Sequence, residues 1–287
     1  MSQERMSQSL QRLSARSLHP QGTLISVSGV TFGEKEIVLI AGPCAVESRQ
    51  QILDIGQTLR SCGAHILKAS LFKTRSAPYT FQGLGRQGLD ILLEVKQQVG
   101  LPIATEVLAV EDIQVLAPVV DLVFVGARNI QNVALLRALG QIQKPVILKR
   151  GFGTTIDELL FAAEFVLDGG NSEVILCERG IRTFEPSTRF TLDIGAIPVL
   201  KERTHLPVIV DPSHAAGRRE YVRALSLAAI AAGADGLMIE VHPDPTHALS
   251  DAAQQLSPDM FECLVGDLSR VASSVGRNPS PMLLGCY

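Results

Sequence analysis

The segment GLMIEVHPDPTHALSD, residues 236–251, decides how this chain is read. Its apolar opening, Gly236 to Ile239, has the length and composition of a buried strand and breaks off into acids, histidines and prolines. Glu240, His242, Asp244, His247 and Asp251 crowd the point where that strand ends. Carboxylate together with imidazole suits a divalent metal, although any one of these residues alone is equally an ordinary solvated loop charge.

Working upstream, β-branched runs of the same kind recur and alternate with segments of helical period. The strands are expected at Ile37 to Ala41, His65 to Lys68, Pro102 to Thr105, Leu122 to Val125, Val146 to Lys149, Glu173 to Cys177, Pro207 to Asp211 and Gly236 to Glu240. Eight parallel strands close a barrel. The helices between them are expected at Gln50 to Cys62, Gly88 to Val99, Val110 to Ala117, Gln131 to Leu139, Ile156 to Leu167, Leu192 to Arg203 and Glu220 to Ala232, with an eighth at Pro258 to Val275. The fold class is therefore α/β, a single (β/α)8 TIM barrel; a doubly wound open sheet is the alternative that strand and helix counts leave open. Thr23 to Val30 and the following Phe32 to Lys35 read as a short N-terminal hairpin extension able to plug the barrel's bottom. No linker divides the chain. It parses as 1–36 N-terminal tail and hairpin, 37–276 barrel and 277–287 C-terminal tail.

In a (β/α)8 barrel the catalytic residues collect where the strands end. Here the endings supply Cys44, Lys68 with Lys73 and Arg75, Glu106, Arg128, Lys149-Arg150, Glu178-Arg179, Asp211 to His214, and Glu240. Packing alone asks only for solvated loops at these positions. The endings divide into two sets. Lys68, Lys73, Arg75, Arg128, Lys149, Arg150 and Arg179 are cationic in a chain whose net charge is -3. Cations that converge in a slightly acidic protein imply a phosphorylated or carboxylated small molecule, which guanidinium forks and ammonium groups hold. The second set, Cys44, His214, Glu240 and Asp251, comes from neighbouring strand ends. Its mixed S, N and O donors suit Mn, Fe, Co or Zn better than Mg or Ca. On composition His242 and His247 compete with His214 for this role.

The near-neutral charge argues against nucleic acid or an anionic membrane surface as partner, and no apolar run is long enough to span a bilayer. Five cysteines without paired spacing argue against a disulfide framework and for a reducing, cytoplasmic compartment. Gly83 to Gly88 matches the spacing of a dinucleotide fingerprint but lies well past a strand, and reads as a loop feeding a helix.

Several segments now carry a resemblance. They are Ala41 to Ser48, Lys73-Thr74-Arg75-Ser76 with Pro78 to Gly85, Gly126 to Asn129, Leu148 to Gly151, Cys177 to Phe184, Asp211 to His214, and Glu240 to Pro243 through Ala248 to Asp251. Together they closely resemble the 3-deoxy-D-arabino-heptulosonate 7-phosphate (DAHP) synthases, type I beta subfamily. The resemblance spans Val38 to about Leu256. It implies a metal-dependent condensation of phosphoenolpyruvate with erythrose 4-phosphate and water, giving the heptulosonate and phosphate at the first step of the shikimate pathway. By matching motif it implies Cys44, His214, Glu240 and Asp251 as metal ligands. It further implies Arg128, Lys149, Arg179 and Lys68 around phosphoenolpyruvate, and Lys73, Arg75 and Ser76 around the aldose phosphate. Lys149 and Glu106 become candidates for moving protons or the attacking water, His242 becomes a loop residue, and a homo-oligomer, dimer or tetramer, is expected.

The chain departs from the family pattern at a few positions. Lys68 stands where these enzymes carry Arg, Thr74 for Pro, Ser76 for Thr and Phe124 for Gln. Lys68-Ala69-Ser70 is closer to the sister 3-deoxy-D-manno-octulosonate 8-phosphate (KDO8P) synthases, which take arabinose 5-phosphate. The alternatives are thus a KDO8P-synthase-like reaction and a barrel that binds phosphoenolpyruvate without turnover. Residues 1–36 are too few for the regulatory domains often appended in this subfamily, so no feedback inhibition by Phe or Tyr through such a domain is expected.

Overall fold

The computed structural model describes residues 12–75 and 77–278. Strands β3 (Val38–Gly42), β4 (Ile66–Lys68), β5 (Ile103–Val107), β6 (Leu122–Val125), β7 (Val146–Lys149), β8 (Val174–Glu178), β9 (Val208–Val210) and β10 (Gly236–Glu240) run parallel in sequence order around a closed barrel. Closure is made by β10 against β3, from Gly236 opposite Val38 to Glu240 opposite Gly42. That ladder excludes the open sheet. Gly42 is required where it stands, because a Cβ there would lie 2.1 Å from the Lys68 carbonyl oxygen on β4.

Side chains alternate between two layers, as strand geometry demands. Val38, Ile40, Ile66, Leu122, Ile147, Ile175, Ile209 and Met238 fill the barrel, while their neighbours Leu39, Leu67, Val123, Leu148, Leu176 and Leu237 face the helices. The covering helices are α1 (Arg49–Ser61), α2 (Leu89–Val99), α3 (Val110–Leu116), α4 (Val133–Leu139), α5 (Ile156–Asp168), α6 (Ala196–Arg203), α8 (Arg219–Ala231) and α9 (Pro258–Ser274). Ser48, Thr155 and Ser257 cap α1, α5 and α9 through their hydroxyls, satisfying N–H groups that the first turn leaves unpaired. None of the described helices is long and apolar enough to cross a membrane.

Three segments differ from expectation. The strand expected to run to Val30 turns at Ser28 and Gly29, both at positive φ (49° and 90°), giving β1 (Ile25–Val27) and β2 (Val30–Phe32) as a two-residue hairpin. Ile25, Val27 and Phe32 join the barrel's inner cluster, so the hairpin does plug the floor. Helix α6 starts at Ala196 rather than Leu192, because Thr191 pairs with Ile181 and Asp193 accepts from the Ala196 amide. Finally, β9 ends at Val210 and releases Asp211 into an additional five-residue helix, α7 (Pro212–Ala216), too short for its period to be visible.

Asp121 locks the floor in place. Its carboxylate accepts from Ser28 Oγ of the hairpin at 3.0 Å, Lys96 Nζ at 2.8 Å and the Ile103 amide at 2.9 Å. Burial opposes its charge, but these donors outweigh it and hold the carboxyl below its usual range. A depressed carboxyl stabilises the fold above its unfolded value, roughly pH 4, and that contribution is lost as pH falls through the folded value. Asp121→Ala is expected to cost about 2 kcal/mol, and its stability difference from the parent should shrink in urea melts below about pH 4.

Candidate active site

At the C-terminal mouth of the barrel lies a cavity of about 300 Å³. Lys68, Lys73, Arg75, Arg128, Lys149, Arg179 and Arg189 line it, against two carboxylates, Glu106 and Asp251. Seven cations facing two acids in an acidic protein define an anion site.

Arg179 carries the clearest sign of a missing partner. It is buried, its Nη1 has no hydrogen-bond partner among the described residues, and its guanidinium lies over the Phe190 ring (4.3 Å) and the Phe152 ring (5.0 Å). Those rings stack at 4.8 Å, and Arg128 packs over the Phe152 ring too. Burial pushes the Arg179 guanidinium down to about 10, still far above neutral pH, so a charged side chain lines the cavity with one buried N–H group lacking an acceptor among the described residues. A buried unpaired donor costs about 1–3 kcal/mol, and an anionic ligand would relieve that cost.

Lys149 reaches Asp211 Oδ2 at 2.5 Å and sits 5.0 Å above the Phe124 ring. Burial opposes its charge, but Asp211, Cys177 and Glu106 outweigh it, so the ammonium is held protonated. Lys73 is held likewise: burial opposes, while Cys44, Glu106, Glu240 and Asp251 raise its pKa, and its Nζ lies 3.4 Å from Glu106 Oε2. Glu106 needs Gly126 opposite, since a Cβ there would fall 2.1 Å from Glu106 Oε1. Arg75 stands at the rim, 3.2 Å from Thr80 Oγ1 and 3.9 Å from Asp251 Oδ1. Ser76 lies outside the described residues.

Two of the cations read from the sequence are directed elsewhere. Arg150 follows Lys149 and so faces the opposite way; it binds Glu178 (2.8 Å), Asp193 (2.9 Å) and the Thr154 carbonyl (2.8 Å) rather than the cavity. Glu178 is its counter-charge. Lys68 does border the cavity floor, but it is fully buried and its Nζ donates to the Pro43 and Cys44 carbonyls (2.8 and 3.2 Å) and to Glu240 Oε1 (3.1 Å). Those three contacts use all three ammonium hydrogens.

Beside the cations lies the donor cluster. Ligand atoms of Cys44, Glu240 and Asp251 fall within 4.8 Å of one another. His214 Nε2 is 3.5 Å from Glu240 Oε1 and 3.6 Å from Asp251 Oδ2. Three strand ends thus bring four donor residues together. Burial, then Glu240, pushes the Cys44 thiol up to about 12, and its Sγ points to Asp251 Oδ2 at 3.6 Å. Burial lowers the His214 pKa despite Asp211 and Glu240, which keeps the imidazole neutral, the form that ligates. Asp251 holds φ at +47°, a conformation that costs an ordinary residue about 1–2 kcal/mol and that persists because the loop around it fixes the carboxylate. These donors fit a divalent transition metal or zinc.

Two residues hold these groups: Asp211, one of the strand endings read from the sequence, and Arg189, which the sequence did not single out. Asp211 Oδ1 accepts from the His214 amide, capping α7, while Oδ2 binds His214 Nδ1 at 2.8 Å as well as Lys149. That directs Nε2 to the cluster. Arg189 donates to Gln254 Oε1 at 2.7 Å and lies 3.3 Å from Asp251 Oδ2. Asp211 is legible as the residue after its strand and the cap of the next helix, whereas no local signal picks out Arg189, whose contacts are distant in sequence. His242 is buried against Glu47 at 3.3 Å and accepts from the Asp244 amide, and His247 is an exposed partner of Asp244. The Gly83 to Gly88 segment is a loop leading through a 3-10 turn (Gly85–Gly88) into α2.

An anion-binding mouth joined to a four-donor cluster on a closed (β/α)8 barrel defines a class of enzyme that brings anionic substrates together beside a metal-capable centre. The chain belongs to the DAHP synthetase I family, whose model matches residues 17–273. It is 45% identical over 265 residues to the phospho-2-dehydro-3-deoxyheptonate aldolase of Thermotoga maritima, covering 92% of this chain and 78% of that one. It is also 33% identical to a 2-dehydro-3-deoxyphosphooctonate aldolase of Syntrophobacter fumaroxidans, over 84% of this chain and 89% of the other. Among solved structures, the DAHP synthase of Thermotoga maritima superposes with a TM-score of 0.89 at 44% identity, over 93% of this chain and 78% of that chain. A truncated form of the same enzyme gives 0.86 at 42%, over 93% and 98%.

Proposed function

We propose that this enzyme condenses phosphoenolpyruvate with erythrose 4-phosphate and water to give 3-deoxy-D-arabino-heptulosonate 7-phosphate and phosphate, the entry to the shikimate pathway and aromatic amino acid biosynthesis. The observation that carries the proposal is the buried Arg179, whose Nη1 has no hydrogen-bond partner among the described residues, in a cavity lined by seven cationic side chains beside the Cys44, His214, Glu240 and Asp251 donors. Arg179, Arg128 and Lys149 hold the phosphate and carboxylate of phosphoenolpyruvate, while Lys73 and Arg75, with Ser76, take the phosphate of the aldose. Two anionic substrates repel each other, and a cationic mouth of low dielectric offsets that repulsion and fixes the enol carbon against the aldehyde.

Cys44, His214, Glu240 and Asp251 would hold a divalent Mn, Fe, Co or Zn ion, which supplies Lewis acidity at the aldehyde oxygen. Glu106, facing the cavity beside Lys73, is placed to take a proton from water, and Lys149 to hold or return one. Phe152, stacked on Phe190, lines the cavity and carries the Arg128 and Arg179 guanidinium groups over its ring. Lys68, Thr74 and Phe124 favour a second reading, a condensation with arabinose 5-phosphate, and the chain is also similar to a protein named 2-dehydro-3-deoxyphosphooctonate aldolase. A homo-oligomer, dimer or tetramer, and the division of the chain at residues 36 and 276 belong to the same proposal.

The test is phosphate release from phosphoenolpyruvate with erythrose 4-phosphate, with arabinose 5-phosphate and with neither, after chelation and after metal is restored. Turnover with erythrose 4-phosphate that vanishes on chelation is expected. Turnover confined to arabinose 5-phosphate would establish the second reading, and none with either aldose would leave a binding module.

A further inference from the structure

Two adjacent glutamines behind the donor cluster together touch three of its four residues, Cys44, Glu240 and Asp251. Gln254 and Gln255 are both buried. Gln254 Nε2 donates to Glu240 Oε2 at 2.7 Å and lies 3.4 Å from Asp251 Oδ2, while its Oε1 accepts from Arg189. Gln255 Oε1 accepts from the Cys44 amide at 3.0 Å, and its Nε2 donates to the Ser250 carbonyl at 2.8 Å. The partners fix which amide atom is which: only oxygen can accept from N–H or guanidinium, and only nitrogen can donate to carboxylate or carbonyl.

The consequence is a division of labour. Gln254 bridges the two carboxylates, which would otherwise repel, with a neutral donor that leaves their charge for a cation. Gln255 ties the loop bearing Cys44 to the residue before Asp251, so the sulfur and the carboxylate approach from two strand ends at a fixed distance. His214 is oriented separately, by Asp211.

We propose that Gln254 and Gln255 are positioning residues that set the Cys44, Glu240 and Asp251 donors at ligating distance before any cation arrives, Gln254 also linking them to Arg189 at the substrate mouth. The inference rests on the metal reading above. Outer contacts of this kind typically change metal affinity by about 10–100-fold.

Cobalt(II) is the probe, added to the full-length protein and to Gln254→Met and Gln255→Met, which keep side-chain size and remove the amides. Affinity is read by chelator competition, coordination by the visible bands and the thiolate-to-cobalt charge-transfer band, and folding by near-ultraviolet circular dichroism. Gln254→Met is expected to weaken cobalt about 10–100-fold with the thiolate band retained. Gln255→Met should lower the thiolate band itself, because Cys44 loses its tether; a general loss of packing would not separate the two variants in this way. Should a Met variant fail to fold, Gln254→Asn and Gln255→Asn withdraw the same amides by one methylene and are expected to show the same split. Variants that match the parent in affinity, within about twofold, and in spectrum overturn the positioning role while leaving the metal reading standing. A parent protein that takes up no cobalt overturns both.

Discussion

Cys44→Ala is expected to abolish tight metal binding and to lower turnover by about a thousandfold or more, with the fold intact. Lewis-acid stabilisation is worth several kcal/mol, and each 1.4 kcal/mol is about a factor of ten in rate. The substitution removes a single sulfur from a position with no exposure, and the backbone around it is held independently by Gln255 on the Cys44 amide and by Lys68 on the Cys44 carbonyl. Loss of one buried heavy atom costs about 1 kcal/mol, small beside the effect on the site. The three remaining donors, His214, Glu240 and Asp251, retain their mutual contacts, so weak residual uptake at high metal concentration is expected rather than none. Metal content after gel filtration, turnover and a thermal melt decide the matter together. Full activity at normal metal content would sink the ligand assignment, whereas lost activity with a collapsed melt would point to a structural cysteine.

How much of this was legible in the sequence depends on the distance over which each signal acts. A strand followed by a polar residue is a local signal, and every barrel strand lies within two residues of its expected ends. Strand ends also carry a global consequence: once the ring closes, Cys44, His214, Glu240 and Asp251 converge although they span much of the chain, and the donor cluster follows. Side-chain direction was the limit. Lys149 and Arg150 are consecutive cations with identical sequence-level standing, but strand alternation sends one into the cavity and the other to Glu178 and Asp193. Lys68 reads as a substrate cation because it ends a strand; its burial beneath Glu240 is decided by Pro43 and Cys44 carbonyls contributed by the neighbouring strand's loop. Arg189, Gln254 and Gln255 sit in irregular loops without periodicity, so only the packed structure identifies them.

Lys149→Met has the second-largest expected effect and tests the cationic half of the site. Below its unfolded pKa of about 10.4 the Lys149 ammonium is charged in both states; because its folded pKa is raised, its pairing with Asp211 contributes fully at neutral pH and is lost only as pH climbs through the folded value. Methionine fills the space over Phe124 and leaves Asp211 buried with His214 and the α7 amide as its remaining partners. Breaking a buried ion pair from one side costs about 3–5 kcal/mol, and because those two partners survive, a loss near 3 kcal/mol is expected in urea unfolding. Turnover should fall further than stability suggests. Removing one preorganised donor aimed at developing charge costs about a hundred- to a thousandfold, and the variant also loses the cation proposed to hold phosphoenolpyruvate, so KM should rise along with the fall in kcat. Lys149→Arg separates the two roles: a guanidinium can still pair with Asp211, so most of the stability should return, but its planar fork cannot reproduce a compact ammonium over Phe124, and turnover should stay low. Recovery of turnover in step with stability would reduce Lys149 to a structural ion pair and leave Arg179 and Arg128 as the groups that hold the anion.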